Sequence, residues 1–192
     1  MTAADKILID AMQAGNQKAF QEFVETYQNM VTNTCYGLLQ NVADAEDVTQ
    51  EVFIEVYRSI SKFRGDSKLS TWLYRIAMTR SIDILRKRKR RSMVQSIQTF
   101  FGGEASAMQV PDNRSQTPQE ALENDERAAV LAAAVAKLPE PQQIAFTLSK
   151  YEDLSYQQIA EVMDKSISSV ESLLFRAKQN LRKYLADYYR ND

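Results

Sequence analysis

Apolar residues recur at three- and four-residue spacing along nearly the whole chain, and no alternating β-branched run interrupts them. That period gathers them on one face of a helix, where a strand would need every second residue. Five Gly and four Pro in 192 residues leave few points at which a helix must stop. The expected class is all-α, with a length that suits one to two small domains, each with its own core.

Residues 5–14 and 16–40 read as helices, the second carrying Phe20, Phe23, Val24, Tyr27, Met30, Val31 and Leu38 at helical spacing. Between Ala43 and Ile60 the residues sort more sharply. Ala45, Val48, Val52, Phe53, Val56 and Ile60 share one side, and Asp44, Asp47, Glu51 and Glu55 fall together on another. Carboxylates four apart on a helix repel by about 0.2–0.5 kcal/mol per pair. The stripe therefore serves a basic partner, or it is a solvated face helped at its N-terminal end by the helix dipole.

A loop over Ser61–Lys68 carries Gly65 and Asp66, and Ser70 or Thr71 then caps the next helix. From Phe63 to Arg91 the chain holds ten Lys or Arg against two Asp, although the whole protein balances 24 basic against 25 acidic residues. Such a placed positive patch attracts phosphate. Trp72, Tyr74 and Ile76 lie among Arg64, Lys68, Arg75 and Arg80, and the run Arg86–Arg91 follows. Bases can stack on the aromatics while the cations hold the backbone. Trp72, Leu73, Ile76, Ile82 and Leu85 also have the spacing of a core face, which accounts for the apolar residues and not for the cations.

Periodicity fails from Ser92 to about Pro118, where Gly102, Gly103, Pro111 and Pro118 mark a flexible connector longer than most loops inside compact domains. The division expected is an N-terminal domain over 1–95, a linker over 96–118 and a C-terminal domain over 119–192. An Ala-rich helix runs from Gln119 to Lys137, and Pro141 opens another through about Tyr151. Ser155 and Gln158 form a capping box ahead of a short helix to Met163, and Asp164, Lys165 and Ser166 make a tight turn. The last helix sets Ile167, Val170, Leu174, Ala177, Leu181 and Leu185 opposite Ser168, Ser169, Ser172, Phe175, Arg176 and Gln179. A short helix, a tight turn and a longer helix with a polar outer face is the helix-turn-helix pattern.

No apolar run approaches the roughly 20 residues of a membrane span, and no N-terminal signal pattern is present, so the expected location is the cytoplasm without membrane insertion. The lone Cys35 cannot form an internal disulfide and reads as a buried thiol. The absence of histidine removes the commonest metal ligand and general base. Neither a cofactor, a metal site nor catalytic residues are expected. Two other readings fit parts of the chain: an autonomous helix-turn-helix regulator, and a nuclease with Asp44, Asp47 and Glu51 around Mg²⁺.

Taken together, the blocks resemble a bacterial sigma factor of the extracytoplasmic-function group over nearly the whole chain. DAEDVTQEVF, from Asp44, is similar to that family's core-polymerase-binding helix, and FRGDSKLSTWLYRIA, from Phe63, to its promoter-melting segment. LSYQQIAEVM and SVESLLFRAKQNLRKYL, from Leu154 onward, are similar to its C-terminal helix-turn-helix. The resemblance implies a non-enzymatic promoter-specificity subunit whose partners are core RNA polymerase and promoter DNA, with an anti-sigma protein as a further possible partner. Asp44, Asp47, Gln50, Glu51 and Glu55 would meet the polymerase. Phe63, Arg64, Asp66, Ser67 and Lys68 would receive a base flipped from the single-stranded −10 element, with Trp72, Tyr74, Arg75, Thr79, Arg80, Arg86 and Lys87 completing that surface. Ser168, Ser169, Glu171, Ser172, Phe175, Arg176, Lys178 and Gln179 would read the duplex −35 element. Two departures stand out: Thr79 replaces an Asn common among relatives, and Glu171 and Leu173 occupy positions that are often basic. Glu171 either reads a base or closes an S-x-x-E capping box with Ser168.

Overall fold

A computed structural model describes residues 3–100 and 118–186, and every regular element among them is helical. In chain order these are α1 (Ala3–Gln13), α2 (Gln17–Leu39), α3 (Val42–Ser59), a single 3₁₀ turn (Ile60–Lys62), α4 (Leu69–Phe100), α5 (Pro118–Ala136), α6 (Glu140–Lys150), α7 (Tyr156–Met163) and α8 (Ile167–Ala186).

Short polar side chains set the boundaries of the first helices. The Asn16 side chain accepts from the Lys18 and Ala19 amides and starts α2. Gln40 then adopts a left-handed conformation at φ 52°, and Asn41 caps α3 by accepting from the Asp44 amide at 2.9 Å. Two residues thus reverse the chain without glycine, and α2 and α3 pack as an antiparallel hairpin. Val31, Cys35, Val48, Val52 and Val56 are fully buried between them, so the thiol is structural as expected. The start of α4 closes this core with Leu69, Leu73 and Ala77.

Two local expectations at α4 are corrected. The helix begins at Leu69, and neither Ser70 nor Thr71 is its cap: Thr71 is buried within the first turn, and the Trp72 amide already donates to the Lys68 carbonyl at 3.1 Å. Leu69, 1% exposed, anchors the entry in the core. At its other end α4 continues to Phe100, past Ser92 where the apolar period stops. Loss of an apolar face does not end a helix when no Gly or Pro intervenes, and the next glycine is Gly102. Much of the expected linker, residues 101–117, lies outside the described residues.

The C-terminal helices follow the sequence closely. The Ser155–Gln158 capping box is formed in both directions, and Asp164 terminates α7 in a left-handed conformation at φ 53°. Ala134, Val135, Leu138, Ala177 and Leu181 tie α5 to α8. Another cluster joins the two halves of the chain: Leu38, Tyr74, Met78 and Ile82 pack with Ala145, Leu148, Ile159, Val170 and Leu174.

Candidate nucleic-acid interface

The loop before α4 shapes a concave pocket of about 400 Å³, walled by Phe63, Arg64, Asp66, Ser67, Trp72 and Arg75, with Glu55, Ser59, Lys62 and Ile76 completing it. Gly65 at φ +77° supplies the bend that a side chain would resist. Trp72 is half-buried and stacks obliquely on Phe63 with ring centroids 4.8 Å apart, so it both supports the loop and presents a wall. Cationic, anionic, hydroxyl and aromatic groups converge here at a scale suited to a small planar polar group. Lys68 is exposed at the base of α4 and does not line the pocket.

Beyond the pocket the cations of α4 emerge on its surface, but several are engaged by acids of the same chain. Arg80 Nε donates to Glu55 at 2.6 Å, and Arg88 pairs with Asp44. Arg86 binds Glu140 of α6 through two hydrogen bonds, Nε to Oε1 at 3.1 Å and Nη2 to Oε2 at 2.8 Å. That contact holds the Glu140 carboxyl below its ordinary range. Arg75 reaches past the pocket to donate to the carbonyls of Glu161 (2.7 Å) and Val162 (3.1 Å) near the end of α7. Thr79 is exposed, its hydroxyl bound back to the Arg75 carbonyl at 2.8 Å, and Lys87 is exposed beside Arg86.

Tyr74 differs from the expectation. It is 7% exposed, and its hydroxyl donates to Glu152 at 2.9 Å, so it forms part of the contact between the halves and no open surface. Burial, with the Glu152 charge second, raises its ionisation well above the ordinary phenol range. Burial also pushes the Glu152 carboxyl up to about 7, Asp153 adding to the shift while the Tyr74 and Thr34 hydroxyls oppose it.

The acidic stripe on α3 divides. Asp47, Gln50 and Glu51 are exposed, whereas Asp44 and Glu55 are half-covered and held by Arg88 and Arg80. Among the described residues no group of three or more carboxylate or thiol side chains converges as metal ligands would. Ile54 and Tyr57, 50% and 61% exposed, stand on the same outer side as the stripe. Sorting the helix by charge overlooked them; an isoleucine on the polar face of an amphipathic helix was the available signal.

On α8 the outer face is open. Ser168, Glu171, Ser172, Arg176, Lys178 and Gln179 are exposed, and Phe175 is 62% exposed at their centre. Ser169 is half-buried, and its amide donates to Ser166 Oγ at 3.2 Å. Ser166 therefore caps α8, two residues earlier than a box built on Ser168, and Glu171 lies in the second turn as an exposed side chain. The capping role for Glu171 is excluded. Leu173 is 8% exposed and packs inward, so no base contact is open to it, while Ile167, expected in the core, is 47% exposed at the helix start. Arg182, one turn beyond Lys178, continues the exposed face past the residues that the sequence pattern singles out, its spacing being the available signal.

Comparison with known proteins gives this arrangement a family. The model for sigma-70 region 2 matches residues 23–91, and that for sigma-70 region 4 matches residues 120–181. The RNA polymerase sigma-H factor of Pseudomonas aeruginosa is 34% identical over 185 residues, spanning 94% of this chain and 93% of that protein. The ECF RNA polymerase sigma-E factor of Haemophilus influenzae is 37% identical over 180 residues, 91% of this chain and 92% of its own length. In fold the chain resembles CnrH, solved in complex with the cytosolic domain of CnrY, at a TM-score of 0.67 and 21% identity, with 96% and 99% of the two chains covered. Two matched regions in the order of the two helical halves, and relatives alike from end to end, establish that the chain belongs to the extracytoplasmic-function sigma factors.

Proposed function

We propose a division of labour within this sigma factor, which binds core RNA polymerase and promoter DNA to initiate transcription of a dedicated gene set. The N-terminal domain, residues 1–95, holds the polymerase through the exposed part of α3, chiefly Asp47, Gln50 and Glu51, with Ile54 as an apolar anchor among them. The same domain captures the −10 element. Its pocket beside the Phe63–Trp72 stack takes a flipped base, and Lys87 together with Arg75, Arg80 and Arg86, once the intramolecular partners of these arginines give way, holds phosphates along α4. The C-terminal domain, residues 119–192, reads the −35 duplex with the outer face of α8, where Phe175 offers an apolar contact to a thymine methyl and Arg176, Lys178 and Arg182 approach phosphates. The residues of the 96–118 connector join the two. The protein acts in the cytoplasm and performs no catalysis of its own, because strand opening uses binding energy and the polymerase supplies the chemistry. An anti-sigma protein is a fitting regulator, since the sigma factor RpoE, similar in fold at a TM-score of 0.58, was solved in complex with the anti-sigma factor NepR from Bartonella quintana.

The observation that carries this reading is the pocket, which brings aromatic, cationic and carboxylate groups together at the base of a helix lined with cations. Replacing Asp66, Ser67 and Lys68 together by Ala should leave holoenzyme bound to duplex promoter DNA but stop permanganate oxidation of thymines in the −10 region. Retained thymine reactivity would remove the pocket from the melting step.

A further inference from the structure

We infer that the C-terminal domain is an intramolecular competitor of the −10 strand, closing over the DNA-facing side of α4, and that Gly37 is the position that permits closure. The inference rests on the reading of Arg75 and Arg86 as −10 contacts. Both are occupied by groups a nucleic acid would have to displace. Glu140 binds Arg86 with two parallel hydrogen bonds, as a phosphate would, and the Glu161 and Val162 carbonyls take Arg75. Beneath these polar contacts Leu38, Tyr74 and Met78 are packed into one cluster with residues of α6 and α7, so closure is an apolar interface and not a single ion pair.

The end of α2 is fitted to this interface. A helix leaves its last carbonyls without internal partners. Here Gln143 Nε2 donates to the Leu38 carbonyl and Thr147 Oγ1 to that of Gly37, each at 3.1 Å, from α6. Both side chains are buried. A Cβ at Gly37 would lie 2.6 Å from Thr147 Cγ2 and 3.0 Å from the Tyr151 ring, and its three nearest neighbours all come from these two residues. Within a helix glycine is disfavoured by about 1 kcal/mol relative to alanine, so this residue serves the close approach of α6 and not the helix that contains it.

Full-length Gly37→Leu therefore separates closure from folding and from the proposed DNA contacts. Compactness is read by small-angle X-ray scattering, and DNA binding by fluorescence anisotropy with the single-stranded −10 sequence of a promoter that the reconstituted holoenzyme opens. The wild type should be compact and bind weakly; G37L should keep its helical content, expand, and bind about tenfold tighter, since a closed population scales down the apparent affinity. Should G37L lose helical content, the Gln143→Ala/Thr147→Ala variant, which removes the same contacts without adding bulk, is judged by the same two measurements. An expanded variant with wild-type affinity overturns the inference, as does a wild type already as extended as the variant. The −10 reading is tested separately by adding Arg75→Ala and Arg86→Ala to the open protein: undiminished binding there would reject that reading while leaving the scattering result intact.

Discussion

At the scale of single residues, Glu171 shows how a boundary shifted by two residues changes a role. Read as part of an S-x-x-E box it competes between capping and recognition; with Ser166 as the cap it is an exposed carboxylate in the second turn of α8. A carboxylate there accepts from cytosine N4 and repels phosphate. Glu171→Gln should leave thermal stability unchanged and relax selectivity at one −35 position by up to about 1–3 kcal/mol. Site selection from a randomised −35 library is the check, and identical preferred sequences from both proteins would remove Glu171 from the reading face. Ile54 poses a different question, because a half-exposed isoleucine gains nothing from water. Covering the rest of it in a complex is worth about 1 kcal/mol, taking half of a full side-chain burial. Ile54→Ala should weaken association with core polymerase by roughly fivefold to tenfold without altering the fold, as measured by competition between wild-type and mutant protein for limiting core.

At the scale of elements, α3 and α4 are complementary in charge, and the structure already pairs them twice, Glu55 with Arg80 and Asp44 with Arg88. What α3 leaves outward is Asp47, Gln50 and Glu51. Reversing Asp47 and Glu51 to Lys should therefore sharply reduce core binding, at about 1.5 kcal/mol or more for each interfacial pair, and leave helical content intact; co-elution of the double variant with core as efficiently as wild type would dismiss the interface. Most elements were legible from the sequence because one periodicity and a few caps specify them: the Ser155–Gln158 box and the Asp164 turn lie where the residues require. The two errors share a cause. Hydroxyl residues suggest a cap for α4 at Ser70 or Thr71, whereas burial of Leu69 decides where the helix starts. Loss of apolar spacing suggests a C-terminal end near Ser92, but that spacing reports burial and not helicity, and α4 continues to Phe100. In the same way most of the outer face of α8 is legible in the sequence, with Ser169 and Ile167 as exceptions, while the covering of Tyr74 is not. No local pattern says that another domain lies on top of a helix.

At the scale of the whole molecule, closure leaves two surfaces available and covers a third. The outward face of α3 and the reading face of α8 remain exposed, so core polymerase and the −35 duplex can engage the closed protein, and only a partner that favours the open arrangement shifts the balance. Closure also buries a group that titrates near neutrality. The Glu152 carboxyl faces the Tyr74 hydroxyl from α4, Thr34 and the Cys35 thiol from α2, and Asp153 from its own loop, with no cation among these neighbours. Its affinity for a proton rises from an ordinary value of 4.5 to about 7 in the closed arrangement. The sign follows from proton counting. Between those two values the closed form holds more protons than the open one, so closure is most favoured below the ordinary value and weakens as pH rises towards about 7. Full-length protein should expand in small-angle scattering as pH is raised from about 5 to about 8, with up to one proton released per molecule on opening. Glu152→Gln keeps an oxygen for the Tyr74 hydroxyl but cannot ionise, so it should stay compact across the whole range and bind the single-stranded −10 sequence more weakly than wild type at neutral pH. A wild type whose dimensions ignore pH, or a Gln variant that opens in step with it, would show that this carboxylate does not govern closure.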